Sequence, residues 1–352
     1  MAWENPQDTN QSEWSWEDQW EPPVFGGAEL ACVTGVCVLL LVTGIMGNML
    51  TILVVWLRPQ LRSSTYLYLS SMAVSDLLIL LLMPLDLYKL WHPSPWRLGE
   101  LLCKVSMFAS ESCTFSSLLH ITALSLERYL AVCRPLAAKT LLTRQRTRAL
   151  IGCLWGAALL SAAPVLLMVG VEELGAGEGM GGSECRCTDY AVSSGLLATM
   201  MWLSNLYFLV PLGILGLVYG LIGRKLWLRP LRNSRDRAQR NTVKMLGMIV
   251  LVFVLCWLPF HVGRTLFSLS LGSTPGADVL YYVSQYFNLA SFVLFYLSAA
   301  VNPLLYNTMS ARYRQALRSL LHAHTHSRTH AHSHTRRTQL PPLTPQHSTT
   351  TL

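Results

Sequence analysis

Long apolar runs alternate with short polar segments along this chain. Seven runs, at approximately 28–56, 65–91, 101–133, 149–169, 194–223, 242–269 and 278–308, each reach the roughly 20 residues that cross a bilayer core of about 30 Å as an α-helix. Transmembrane strands would instead show alternating segments of about 10 residues, and none is visible. The pattern therefore predicts an all-α membrane protein, a seven-transmembrane helix bundle. A further stretch, 310–321, is apolar on one face and basic on the other, which predicts a short amphipathic helix in the membrane plane. The expected organisation is a tail over 1–27, the bundle with its amphipathic helix over 28–321, and a disordered tail over 322–352.

Composition agrees: 52% of residues are hydrophobic and only 13% charged, against about 25% charged in soluble domains. The net charge of +8 invites a nucleic-acid partner, but its distribution argues for topology instead. Arg134, Lys139, Arg144, Arg146 and Arg148 follow the third segment. Arg224, Lys225, Arg229, Arg232, Arg235, Arg237, Arg240 and Lys244 follow the fifth, and Arg312, Arg314 and Arg318 the seventh. Acidic residues gather on the other side: Glu4, Asp8, Glu13, Glu17, Asp18 and Glu21 before the first segment, then Glu172, Glu173, Glu178, Glu184 and Asp189 after the fourth. Basic loops stay cytoplasmic, so the expected topology has the amino terminus outside the plasma membrane and no nucleic acid as partner. The first 27 residues lack a basic n-region, and the first helix is expected to serve as its own anchor. Asn10-Gln11-Ser12 is then an outward glycosylation acceptor.

Polar residues inside hydrocarbon need partners and mark function. Glu127-Arg128-Tyr129 closes the third segment, Cys256-Trp257-Leu258-Pro259 lies within the sixth, and Asn302-Pro303-Leu304-Leu305-Tyr306 closes the seventh. Each motif alone is weak, but three on the expected segments make a strong signal. On these residues the chain resembles a rhodopsin-like (class A) G-protein-coupled receptor. Further segments narrow the resemblance over residues 35–320 to the ghrelin and motilin receptor subfamily: Met83 to Leu87, Ser110 to Thr114, Trp257 to Arg264 and Leu294 to Ala300. Ala73 to Asp76, Leu118 to His120, Cys133 to Leu136 and Ser284 to Asn288 lean to the motilin branch. Ser110 to Ser112, Ser194 to Leu197 and Thr242 to Leu246 lean to the ghrelin branch. The balance leans to motilin, although the second outer loop, glycine-rich at 175–182, is shorter than in mammalian motilin receptors.

The resemblance implies several roles. Cys103 and Cys185 would form the bridge tying the second outer loop to the third helix, with Cys187 left as a rival for Cys185. The other cysteines, Cys32, Cys37, Cys113, Cys133, Cys153 and Cys256, read as small apolar residues. Glu127 would hold Arg128 at rest and release it toward a heterotrimeric G protein near Tyr219 and Tyr306. Phe253 and Trp257 would relay ligand contact to helix movement, with Leu118 where many relatives carry isoleucine. Asp76, Ser117, Ser298 and Asn302, near Asn48, would hold an allosteric sodium ion, the alternative being a protonated, hydrogen-bonded carboxyl that packs helices. No other cofactor is expected. Pro211, Pro259 and Pro303 each remove a backbone hydrogen bond and leave a kink that can hinge.

Toward the outer side, Glu111 lies eight residues inward of Cys103 and Arg264 seven residues outward of Trp257. Unpaired, both would be costly in a semi-buried cavity; paired, they offset each other. This pair is either purely structural or, as in the subfamily, peptide-binding. Asp86, Phe260, His261, Asn288, Phe292 and Phe295 fall around the same cavity by helical spacing. Charged anchors among aromatics suit a peptide hormone with a charged amino terminus and an apolar end. The resemblance implies coupling to Gq and calcium, and arrestin recruitment after phosphorylation of Ser348, Thr349, Thr350 and Thr351. Thr350-Thr351-Leu352 also matches a PDZ ligand. His322, His324, His326, His330, His332 and His334 read as low-complexity drift or as metal ligands. The tail has no cysteine for palmitoylation.

Other function classes fit less well. An enzyme would need a nucleophile with its base or a metal set in the helices, yet His120 and His261 stand alone. A transporter would show repeated halves with broken helices, and no repeat is visible. A retinal pigment needs a lysine on the seventh segment. By family analogy an amine receptor would carry aspartate where this chain has Ser110.

Overall fold

The computed structural model describes residues 25–58, 63–174, 182–228, 234–270, 277–309 and 313–320. Asn10, the tail beyond 320, most of the glycine-rich stretch and the side chain of Tyr306 lie outside that set.

Seven long helices carry the fold: α1 (Gly27–Leu57), α2 (Ser64–Trp91), α3 (Gly99–Cys133), then, after the short α4 (Pro135–Leu141), α5 (Arg144–Ala162). The chain continues through the single-turn α6 (Val165–Met168), a hairpin of β1 (Val169–Leu174) and β2 (Gly182–Cys187), and the short α7 (Asp189–Ser193). Next come α8 (Leu196–Trp227), α9 (Ser234–Ser270) and α10 (Ala277–Met309), and finally α11 over 313–320. α3 is the hub: α2, α5, α8, α9 and β1 all pack on it, while α9 packs on α10, α10 on α1, and α1 on α2.

That hub position explains why α3 is polar for its length. By length and apolarity, five described helices or helix runs qualify as membrane spans: Gly27–Leu57, Ser64–Trp91, Arg144–Met168, Leu196–Leu226 and Val283–Leu305. α3 falls short because Glu111, His120 and Glu127 are on its buried surface, where protein partners rather than lipid surround them. In α9 the apolar run is only Val250–Leu266, and the helix continues eight residues before the predicted start at 242 through the polar Ser234 to Asn241.

The fourth predicted span differs in another way. α5 stops at Ala162 and Pro164, which has no N–H to donate, caps the one-turn α6. Val169 and Val171 then alternate with Gly170 and Glu172, a period suited to a strand. β1 and β2 pair antiparallel in the register Val169 with Cys187, Val171 with Cys185 and Glu172 with Glu184. The sequence reading assigned no hairpin here.

Two glycines let α1 approach its neighbours. A Cβ on Gly44 would stand 2.7 Å from a methyl of Leu80 and 3.1 Å from the Cβ of Ala300; one on Gly47 would be 2.8 Å from the Cβ of Pro303. Small residues at such contacts permit close backbone packing in membranes. Asn48, fully buried, uses this proximity to donate from Nδ2 to the carbonyls of Gly44 (3.0 Å) and Ala299 (2.9 Å). It therefore ties α1 to α10 and makes no bond to Asp76. The amphipathic helix α11 is present, and its apolar face is seated on α1. Tyr313 is buried, with its hydroxyl 3.2 Å from Thr51 Oγ1, and Ala316 packs with Val54.

Candidate functional site: an inter-helical ligand cavity and a switch end

A cavity of about 480 Å³ opens between α2, α3, α9 and α10. Its aromatic wall is Phe260, Phe292, Phe295 and Tyr296; its charged lining is Asp86, Lys89 and Arg264, with Ser110, Asn288 and Ser291 between them. Arg264 donates through Nη1 to both carboxylate oxygens of Glu111, at 3.1 and 2.9 Å, and its guanidinium lies 5.8 Å from the Phe260 ring centre. Glu111 is itself buried and reaches the cavity through Arg264. Neither charge could stay at this depth alone, so the pair explains both residues.

A second polar knot holds α2. Tyr296 donates to Asp86 Oδ2 at 2.6 Å, and Lys89 Nζ lies 3.8 Å from Asp86 Oδ1. The same ammonium donates to Ser106 Oγ (3.3 Å) and sits 5.4 Å from the Trp96 ring centre. Trp96 in turn donates its backbone N–H to the Ser183 carbonyl of β2 at 2.6 Å, which fixes the hairpin to the cavity wall. A disulfide between Cys103 and Cys185 fastens the same hairpin to α3. Cys187 is a free thiol; burial pushes its pKa up, and the nearby Arg264 charge works against that shift.

The cavity gathers Asp86, Phe260, Arg264, Asn288, Phe292 and Phe295, with Glu111 directly behind Arg264. His261 does not line it. That ring is buried, stacks on Phe208 at 4.5 Å and lies 6.4 Å from Trp257, so it faces α8. Gly263 permits the close approach of α9 and α10, since a Cβ there would lie 2.7 Å from Asn288 Oδ1.

Beneath the cavity, Trp257 meets Phe295 edge-on at 5.3 Å and stacks with Phe253 at 5.5 Å. Pro211, Pro259 and Pro303 all sit inside helices, joined by Pro84 in α2. Asp76, buried, accepts from Asn302 Nδ2 at 3.0 Å. Ser117 bonds to Ser75 at 3.0 Å and Ser298 donates to the Phe295 carbonyl at 2.6 Å, so both hydroxyls are directed to partners other than Asp76. A carboxylate is a hard oxygen donor of the kind that holds cations, but Asn302 turns its amide N–H rather than its oxygen toward it. Among the described residues no cluster of three or more His, Cys, Asp or Glu could hold a metal.

At the far end of α3, Arg128 Nη2 donates to Glu127 Oε1 at 2.7 Å and to Thr65 Oγ1 of α2. One turn earlier, Ser125 Oγ and the Tyr219 hydroxyl are 3.4 Å apart. Tyr129 packs beside Val132, Val218 and Ile222.

Residues 47–306 match the seven-transmembrane receptor (rhodopsin family) profile. The chain belongs to that family. Within it, the growth hormone secretagogue receptor type 1 of pig is 52% identical over 305 residues, 85% of this chain and 83% of the relative. The human receptor of that name is also 52% identical, over 304 residues, 85% of this chain and 82% of the relative. The human motilin receptor is 44% identical over 340 residues, covering 83% of this chain and 81% of the relative. The receptor thus falls in the ghrelin and motilin receptor group, whose members are not enzymes, and the transporter alternative is set aside. Of the two branches, identity favours the ghrelin side over the motilin side to which the short segments leaned.

Sequence reasoning missed Lys89, Tyr296 and Ser291 in the cavity, and Thr65 at the Arg128 end. Lys89 carried a signal, since it stands one helical turn from Asp86. Thr65 had none: its role depends on the α2–α3 packing.

Proposed function

We propose that this receptor binds a peptide hormone of the growth hormone secretagogue (ghrelin) type and activates a heterotrimeric G protein of the Gq class. The observation that carries this reading is the Arg264–Glu111 pair at the edge of a cavity that also holds Asp86, Lys89 and a wall of phenyl rings. Such a site offers both signs of charge beside an apolar surface, which suits a peptide amino terminus next to an apolar group. The 52% identity to growth hormone secretagogue receptors supports that ligand over motilin. Motilin is the second reading, on the segments Leu118 to His120 and Cys133 to Leu136.

In this reading the basic loops lie in the cytoplasm and the amino terminus, with Asn10 as glycan acceptor, lies outside the plasma membrane. The peptide engages Asp86, Glu111, Phe260, Arg264, Asn288, Phe292 and Phe295 where α9 and α10 meet. Its contacts bias Trp257 and Phe253, and the helix hinges at Pro259. Glu127 then releases Arg128 and a cytoplasmic cavity opens near Tyr219 and Tyr306. A sodium ion at Asp76, Ser117, Ser298 and Asn302 would favour the resting arrangement. Arrestin follows phosphorylation of the tail, and lipid surrounds the apolar faces. A ligand shifts this equilibrium only by the difference in its affinity for the two states, so the Arg264 contacts must be stronger in the active arrangement.

Peptide-stimulated nucleotide exchange measured on purified Gq and Gi with receptor-bearing membranes tests the coupling. The proposal expects exchange on Gq; exchange on Gi alone would replace the G protein and keep the ligand reading.

A further inference from the structure

Two cations near the Arg128 end bond to groups that no charge pattern in the sequence identifies. Lys225, in the last turn of α8, donates from Nζ to the backbone carbonyl of Cys133 at 2.6 Å. Cys133 is the last residue of α3. Arg240, in the second turn of α9, donates from Nη2 to the carbonyl of Leu226 at 2.7 Å, next to the last residue of α8, Trp227. The final carbonyls of a helix lack intrahelical partners and carry the negative end of its dipole, which attracts cations. Both bonds are part-buried, where salt screens less, and charge-assisted bonds of this length are the stronger kind.

We propose that Lys225 and Arg240 are positioning residues that clasp the receptor's resting state, each gripping the C-terminal end of another helix. Together with Arg128 they link four helices in series: Arg128 of α3 to Thr65 of α2, Lys225 of α8 to the end of α3, and Arg240 of α9 to the end of α8. The apolar contact of Val132 with Val218 and Ile222, extended by Val243 of α9, joins the same three helices. α9 therefore cannot swing away from α3 without breaking the Arg240 bond, or without drawing α8 along and breaking the Lys225 bond. This clasp does not involve Glu127, so it restrains the switch independently of the Glu127–Arg128 pair. Neighbouring cations are not equivalent: Arg224, Arg237 and Lys244 are exposed. The inference rests on the proposed outward movement of α9, and not on which peptide drives it.

The experiment is ligand-free inositol phosphate production in cells expressing the full chain, compared at matched surface receptor number. Lys225→Gln and Arg240→Gln are each expected to raise basal output at least about threefold, because each removes a hydrogen bond to a charged group from the resting state. Lys225→Arg, which can still reach the Cys133 carbonyl, is expected to stay near the unaltered level, as are Arg224→Gln and Lys244→Gln. Unchanged basal output in both glutamine variants would overturn the clasp. So would a fall in both basal and peptide-driven output, which would assign these cations to the G protein surface. If no peptide evokes a response from the unaltered receptor, the ligand reading fails, while ligand-free nucleotide exchange on purified Gq and Gi, measured with membranes bearing the same variants, still decides the clasp.

Discussion

Glu111→Arg is expected to abolish the peptide response, and the double variant Glu111→Arg with Arg264→Glu is expected to regain surface expression without recovering native potency. The single variant sets two guanidinium groups where the native structure has bonds of 3.1 and 2.9 Å. Breaking a buried pair costs about 3–5 kcal/mol, with the lower end apt here because the Arg264 side chain is 22% exposed. That cost alone lowers the amount of folded receptor, so the single variant cannot separate structure from recognition. The double variant does, because it restores an ion pair with inverted polarity. A peptide that reads Arg264 directly then meets a carboxylate and loses potency by at least about 100-fold, equivalent to about 2.8 kcal/mol. Dose–response curves at matched surface number check this. Native potency in the double variant would show that the pair is purely structural and would remove the pocket assignment.

Cys103→Ser and Cys185→Ser are expected to be equally severe, and Cys187→Ser nearly silent. The bridge closes a separation of 82 residues, for which the chain-entropy account gives about 4.5 kcal/mol in a soluble chain. Helices already held in a bilayer have less freedom to lose, so that figure is an upper bound. The functional effect is larger than the stability effect, because β2 also anchors Trp96 through Ser183 and thereby the Lys89–Asp86 knot. Cys187 shares a strand face with Cys185 but pairs with Val169 rather than Val171, so it cannot substitute without a shift of register. Peptide potency in the three variants decides the matter: a severe loss in Cys187→Ser with a normal Cys185→Ser would reverse the pairing.

Much of the architecture was legible because hydrocarbon imposes one rule, internal satisfaction of every backbone group, and the chain obeys it as apolar runs. The Glu111–Arg264 pair was legible for the same reason, as two charges at matching depth have little choice but each other. The helix termini were not. α9 begins at Ser234 because a helix persists into polar surroundings once its apolar part is anchored, and the hairpin after α6 starts where Pro164 and the β-branched Val169 and Val171 end helical periodicity. Helical spacing alone puts His261 around the cavity, yet the rotation of α9 points it at Phe208. Lys225 and Arg240 read as topology signals only, since their acceptors are backbone carbonyls that no side-chain pattern reveals. The motilin leaning rested on short segments, and identity over 85% of the chain outweighs them.

The most direct measurement is the calcium response of cells expressing this receptor, titrated with acyl-ghrelin, des-acyl ghrelin and motilin. The account predicts a response to a ghrelin peptide at the lowest concentration, with motilin weak or silent; the acyl and des-acyl curves show whether the apolar wall reads the acyl chain. Response to motilin alone would return the receptor to the motilin branch, and silence toward all three with receptor at the surface would contradict the ligand assignment outright.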